Sequence, residues 1–257
     1  MKRFGLIGYP LGHSFSAGYF TDKFARLGLT ATHEYRSYPL ERIEDFPALR
    51  QRLGDELAGL NVTIPHKQAI IPYLDELSEA AREIGAVNTI AVRNGRLMGH
   101  NTDVIGFGED LDELLPEDRA GISALVLGTG GAARAVWWSL ERRGIPYTRV
   151  SRNKGKDSLT YDQAAMEVVR HNRLIVNTTP LGMAPHLTRC PRINYDGVGP
   201  QHYLYDLVYN PARTTFLKEG LQRGATGRSG LGMLHGQAEA AWKIWTHEEG
   251  NGTGKRL

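Results

Sequence analysis

Ser123-Ala124-Leu125-Val126-Leu127-Gly128-Thr129-Gly130-Gly131-Ala132-Ala133 is the stretch that decides the fold. Its first five residues form a compact apolar run, the pattern of a strand buried on both faces. Glycines at 128 and 130 follow at once, with the small Ala133 in the third place of a G-x-G-x-x-G/A pattern and helix-forming residues up to Arg143. Each small residue has a physical task. The first glycine makes the tight turn, the second lets the backbone approach a pyrophosphate, and the third position lets helix and strand pack closely. The free N–H groups at the helix start also favour phosphate. Gly128, Gly130, Gly131 and Ala132 are therefore candidate dinucleotide-binding residues.

The end of the following strand, expected over 147–150, selects the cofactor. An NAD-binding chain carries an acid there for the ribose 2′-hydroxyl. Here the run is Val150-Ser151-Arg152-Asn153-Lys154, with two cations and no acid. Arg152 can pair with a 2′-phosphate through its planar fork, Ser151 and Asn153 can add hydrogen bonds, and Lys154 or Lys156 can assist. This points to NADP. Two further strands are expected at 174–177 and 203–207, and strands alternating with helices imply a parallel sheet.

Upstream, strands are expected near 4–8, 33–38 and 60–64. Asn94-Gly95 marks a hairpin between 87–93 and 96–99, since Asn-Gly suits a type I′ turn. Helices are expected over 17–27, 43–53, 68–84 and 104–115, with a last one over 233–245. Ser16 suits the N-cap of the first. The fold class is thus α/β with two domains: an α/β domain at 1–102, joined by a C-terminal helix at 231–257, and a Rossmann-type domain at 103–230.

Composition narrows the partners. Thirty-one Lys and Arg against 28 acids leave a net charge of +3, too small an excess to argue for nucleic acid or a membrane surface. Cys190 is the single cysteine, so no intrachain disulfide forms, which fits a reducing compartment. No long apolar run reads as a signal peptide or membrane span, and the expectation is a cytoplasmic protein, monomer or homodimer. His13, His66 and His100 show no metal-ligand spacing, so no metal is expected.

Further motifs occur in a fixed order: Gly12-His13-Ser14-Phe15-Ser16, Asn61-Val62-Thr63-Ile64-Pro65-His66-Lys67, Gly85-Ala86-Val87-Asn88-Thr89 and Gly99-His100-Asn101-Thr102-Asp103. After the glycine motif come Asn177-Thr178-Thr179-Pro180-Leu181-Gly182-Met183, Asp206-Leu207-Val208-Tyr209-Asn210-Pro211 and the segment from Gly230 to Gln237. Together they resemble the shikimate dehydrogenase family over nearly the whole chain.

The resemblance implies NADPH-dependent reduction of 3-dehydroshikimate to shikimate, in aromatic amino-acid biosynthesis, in a cleft between the domains. It also implies roles for individual residues. Lys67 and Asp103 fall on the family's catalytic pair. Ser14 and Ser16 fall on its carboxylate clamp, and Thr63, Asn88, Tyr209 and Gln237 on positions that contact ring hydroxyls or carboxylate. Gly230 and Met233 fall beside the nicotinamide, and Thr178 on the loop that passes the cofactor. Two departures stand out. Ala17 replaces a common proline, and Ser151-Arg152-Asn153 replaces the usual Asn-Arg-Thr. The loop Arg189-Cys190-Pro191-Arg192 has no reading from sequence. Two rival readings exist. One is a quinate/shikimate dehydrogenase using NAD, which Arg152 opposes. The other is a non-catalytic NADPH sensor, which the presence of both Lys67 and Asp103 opposes.

Overall fold

The computed structural model describes residues 1–12 and 15–246. The chain forms two compact units, Met1–Thr102 with the chain from Ala238 onward, and Asp103–Gln237.

In the first unit the strands are β1 (Lys2–Gly8), β2 (His33–Pro39), β3 (Leu57–Val62), β4 (Glu76–Leu77), β5 (Thr89–Arg93) and β6 (Arg96–His100). They lie in the order β2-β1-β3-β5-β6-β4. β1 runs parallel to β2 and β3, while β5 is antiparallel to both β3 and β6. Asn94 and Gly95 turn the β5–β6 hairpin with φ of 50° and 77°, the positive values a type I′ turn needs. Helices α1 (Phe15–Arg26), α2 (Phe46–Leu53) and α3 (Glu79–Ile84) complete this part of the chain.

Two expectations fail here. No single helix covers 68–84. A 3-10 turn at Ile71–Tyr73, the short β4 and then α3 share that stretch. Pro72 cannot supply the N–H that a through-going helix needs. The Asp75 carboxylate instead accepts from the Leu97 N–H at 2.6 Å, which ties the segment to β6. Ser78 then starts a new helix by accepting from the Ala81 N–H. The second failure is Ser16. Helix α1 begins at Phe15, so Ser16 sits inside its first turn and is not its cap.

One face of this sheet is covered by an aromatic cluster of Phe4, Phe20, Phe24, Tyr35, Trp242 and Trp245. Trp245 lies 4.9 Å from Phe4 and 5.0 Å from Phe20, ring centre to ring centre. Its indole N–H is satisfied by the Ile90 carbonyl at 3.0 Å. Gly59 on β3 leaves the room for this indole, because a Cβ there would strike its Nε1 and Cδ1. Gly59→Ala is therefore expected to lower stability by about 1–3 kcal/mol through overpacking. Chemical denaturation checks this, and an unchanged midpoint would show that the indole moves without cost.

In the second unit the strands are β7 (Ala124–Leu127), β8 (Tyr147–Ser151), β9 (Leu159–Thr160), β10 (Leu174–Asn177), β11 (Tyr203–Asp206) and β12 (Thr226–Ser229). All pairings are parallel, in the order β12-β11-β10-β7-β8-β9. Counted within this unit, that is the 3-2-1-4-5-6 order of a dinucleotide-binding sheet, and its direction reverses between β7 and β10. Its helices are α4 (Asp103–Leu114), α5 (Gly131–Arg142), α6 (Met166–His171), α7 (Thr215–Gln222) and the start of α8 (Leu231–Thr246). The strand cores Leu125, Val126, Leu127, Leu174, Ile175 and Val176 are fully buried, as a sheet covered on both faces requires.

The division of the last helix differs from the expected one. Its first turns, up to Gln237, pack with the second unit. Gly106 of α4 has no room for a Cβ against the Met233 carbonyl and the Gln237 N–H, so the two helix backbones approach closely there. Asp110 of α4, buried, accepts from the Tyr205 hydroxyl and pairs with Arg228 at 2.6 Å. That bond fixes α4 on β11 and β12. Among the described residues, no helix is long and apolar enough to cross a membrane.

Candidate active site

In the first unit strands β2, β3 and β5 and the segment after β6 carry a chain of buried polar contacts. Burial chiefly pushes the pKa of the Tyr35 phenol up, and the nearby Ser16 pulls it the other way. The Tyr35 hydroxyl donates to Asn61 Oδ1 at 2.7 Å. Asn61 Nδ2 reaches the Thr89 hydroxyl at 3.3 Å, and Thr89 meets the Thr102 hydroxyl at 3.2 Å. Asn88 then grips Thr102 twice: its Nδ2 donates to the hydroxyl at 3.0 Å, and its Oδ1 accepts from the backbone N–H at 2.7 Å. Buried polar groups held this way keep a fixed geometry, because an unmade bond there costs the full desolvation of the group.

This network links several of the predicted residues. Asn88 stands at one end, and Ser16 lies near Tyr35 at the other. Thr63 lies at the end of β3, its N–H bonded to the Ile7 carbonyl at 2.9 Å. Lys67, half-buried, is held through its carbonyl by the Val87 N–H at 2.7 Å, one residue before Asn88. Asp103 is half-buried and opens α4, directly after the pinned Thr102. Ser14 lies outside the described residues. Sequence reading missed Tyr35, Asn61, Thr89 and Thr102. Asn61, Thr89 and Thr102 fall inside the quoted motifs, but their spacing does not tell a supporting amide or hydroxyl from one that touches a ligand. A separate cavity of about 1280 Å³ in this unit, lined by Met1, Arg50, Arg93 and Trp245 among others, contains none of the predicted residues.

In the second unit a cavity of about 1200 Å³ opens at the reversal point of the sheet. Gly128, Thr129 and Gly130 form one part of its wall, Ser151, Arg152 and Asn153 another, and the loop from Thr178 to Leu181 a third. Tyr161 and the segment around Cys190 close it. Gly128 adopts φ +111°, and a Cβ there would meet the Thr178 hydroxyl at 2.6 Å, so this glycine is dictated by the protein itself. Gly130 and Gly131 differ. A Cβ on either would meet nothing within 4 Å, and neither has a positive φ. Packing therefore does not explain these two glycines, whereas close approach of a pyrophosphate to the α5 N-terminus does. Ala133 is fully buried at the helix–strand contact. The residues fit a dinucleotide, and Arg152 with its neighbours fits a 2′-phosphate. Lys154 and Lys156 do not line the cavity, nor do Gly131, Ala132, Gly230 or Met233.

Beneath the loop from Thr178, Asp206 at the end of β11 is fully buried. It accepts from Asn177 Nδ2 at 2.9 Å, from the Val208 N–H at 3.0 Å and from the Thr214 hydroxyl. Asn177 Oδ1 in turn holds the Thr179 N–H at 3.0 Å. The carboxylate thus ties the cofactor loop to the segment carrying Tyr209, which is itself 39% exposed. Burial pushes the Asp206 carboxyl up to about 6, and the three donors limit that rise. Because the folded carboxyl keeps its proton to higher pH than the unfolded one, its contribution to stability is full below pH 3.8 and is lost as pH rises through about 6. The expected size is about 2–3 kcal/mol. Denaturation curves of wild type and Asp206→Asn should therefore differ in slope over this window and run parallel above it. Parallel curves throughout would place the folded pKa near its ordinary value.

Residues 6–90 match the family model described as the shikimate dehydrogenase substrate binding domain. The NADP(+) shikimate dehydrogenase of Caldanaerobacter subterraneus subsp. tengcongensis is 37% identical, over 96% of this chain and 92% of that protein. A Thermus thermophilus shikimate 5-dehydrogenase solved with NADP(H) and shikimate superimposes with a TM-score of 0.81 at 33% identity, covering 96% of this chain and 93% of that one. A Listeria monocytogenes shikimate 5-dehydrogenase solved with shikimate and NAD gives a TM-score of 0.85 at 29% identity, covering 96% and 92%. The family model covers Tyr35, Asn61, Asn88 and Thr89 of the network, and the relatives extend the match over nearly the whole chain, the nucleotide cavity included, so the chain belongs to the shikimate dehydrogenase family.

Proposed function

We propose that this protein catalyses the reversible NADPH-dependent reduction of the ring ketone of 3-dehydroshikimate to shikimate, a step of aromatic amino-acid biosynthesis. The observation that carries the reading is the joint presence of the pinned Lys67–Asn88–Thr102 framework and a nucleotide cavity with Arg152 in its wall. NADPH, when bound, supplies the hydride.

The chain's own residues do the rest. Reduction of a ketone leaves negative charge on oxygen, and that oxygen needs a proton. The Lys67 ammonium is assigned to stabilise the developing alkoxide and donate the proton. Asp103 is assigned as the acidic partner of that ammonium in the proton transfer. Its backbone entry is fixed through Thr102. The serine hydroxyls of Ser14 and Ser16 are assigned to the ring carboxylate, and Thr63, Asn88, Tyr209 and Gln237 to its hydroxyls. Such groups suit a small polyhydroxylated ring.

The decisive experiment follows NADPH absorbance with shikimate and quinate, each with NADP and NAD. Turnover of shikimate with NADP supports the reading. Turnover of quinate with NAD as the faster pair would favour the quinate/shikimate type instead, and no turnover with any pair would favour a sensor.

A further inference from the structure

The cavity of the second unit is lined by three arginines, Arg152, Arg189 and Arg192, against one acid, Asp162. Arg152 comes from the end of β8. The other two come from a loop some forty residues on, so the fold brings them to one cavity from separate parts of the chain. Like charges gathered in one concave site repel each other, and an anionic ligand relieves that repulsion.

The loop holds its shape through its backbone. The His186 N–H bonds the Met183 carbonyl at 2.8 Å, and the Arg189 N–H bonds the His186 carbonyl at 3.1 Å. The Thr215 hydroxyl donates to the Leu187 carbonyl at 3.2 Å, and the Tyr195 hydroxyl donates to the Pro191 carbonyl at 3.0 Å. Pro191 is buried, while Arg189 and Arg192 on either side of it are exposed. A buried proline between two exposed arginines sets both side chains on a fixed backbone. Among the described residues, Arg152, Arg189 and Arg192 form no salt bridge.

We propose that Arg189 and Arg192 form a second cationic wall of the NADP 2′-phosphate subsite, facing the same phosphate as Arg152 and sharing in the choice of NADP over NAD. The charge balance requires more than one cation. A phosphate monoester carries about −1.5 to −2 near neutral pH, and a single guanidinium leaves part of that charge unpaired. The pyrophosphate is already served by the glycine turn and the α5 N-terminus. Guanidinium forks match phosphate oxygens two at a time, and two forks on opposite walls can bind different oxygen pairs. The lysines nearest Arg152 in sequence do not line the cavity, which leaves the loop arginines to supply the missing charge.

The inference rests on the nucleotide reading of this cavity, and the test separates the two. Calorimetry measures binding of adenosine 2′,5′-bisphosphate and of adenosine 5′-monophosphate to wild type, Arg152→Ala, Arg189→Ala, Arg192→Ala and the Arg189/Arg192 double alanine variant. Thermal midpoints confirm folding. The double variant is expected to bind the bisphosphate about 10–100-fold more weakly, with the monophosphate nearly unchanged and a shallower salt dependence for the bisphosphate. Equal losses for both nucleotides would place the arginines on adenine or the 5′-phosphate and overturn the proposal. An unchanged bisphosphate affinity in the double variant, with a loss in Arg152→Ala, would overturn it while leaving the NADP reading intact. A wild type with no preference for the bisphosphate would remove the nucleotide reading itself, and this inference with it.

Discussion

Lys67→Ala is expected to cut kcat for shikimate and NADP by about 10²–10⁴, the usual contribution of a positioned acid or base. The side chain is the only assigned donor for the ketone oxygen, and the Lys67 backbone is anchored by the Val87 N–H, which the substitution leaves in place. Removing the ammonium therefore leaves the fold and most ring contacts in place. Shikimate affinity should change much less than kcat, because the hydroxyl and amide groups around the ring act in ground state and transition state alike. Single-turnover kinetics of shikimate oxidation by NADP checks the point. A variant with near wild-type kcat would show that the proton comes from another group. A variant with normal kcat but a large rise in KM would make Lys67 a binding residue.

Arg152→Asp is expected to reverse cofactor choice. Loss of a charge-assisted hydrogen bond is worth about 1.5–3 kcal/mol, so Arg152→Ala alone should weaken NADP by about 10–100-fold. The aspartate adds repulsion of the 2′-phosphate and offers the ribose hydroxyls of NAD an acceptor. KM for both cofactors in wild type, Arg152→Ala and Arg152→Asp gives the answer. Equal losses for NADP and NAD would mean that Arg152 supports adenine or the local fold. The Tyr161 phenol in the same cavity, whose pKa burial raises and Arg152 lowers, makes that alternative concrete.

Several levels of this account were legible in the sequence for physical reasons. The run from Ser123 to Ala133 has one reasonable fold, because a doubly buried strand, two glycines and a small helical residue satisfy only one local geometry. Asn94-Gly95 was equally clear, since both turn residues need positive φ. The strands at 159–160 and 226–229 were not seen. The first has two residues, and the second is Thr226-Gly227-Arg228-Ser229, with no apolar pattern to detect. The helix expected over 68–84 failed because apolar spacing was read past Pro72. Ser16 was read as a cap from residue type, while the helix starts one residue earlier.

The site divides in the same way. Residues in compact motifs, such as Lys67, Asn88 and Arg152, could be named from the chain. Tyr35 bonds Asn61 across a long sequence separation and has no local signature. Arg189 and Arg192 looked like an arbitrary basic loop until the fold set them in the wall that holds Arg152.

The measurement that bears most directly on the central claim is the initial rate of shikimate oxidation by the purified protein with NADP, set beside shikimate with NAD and quinate with either cofactor. The account predicts that shikimate with NADP is the fastest of the four pairs, and that Lys67→Ala abolishes most of that rate without loss of NADP binding. Faster turnover of quinate with NAD, or no turnover of shikimate by a folded protein that binds NADP, would contradict it.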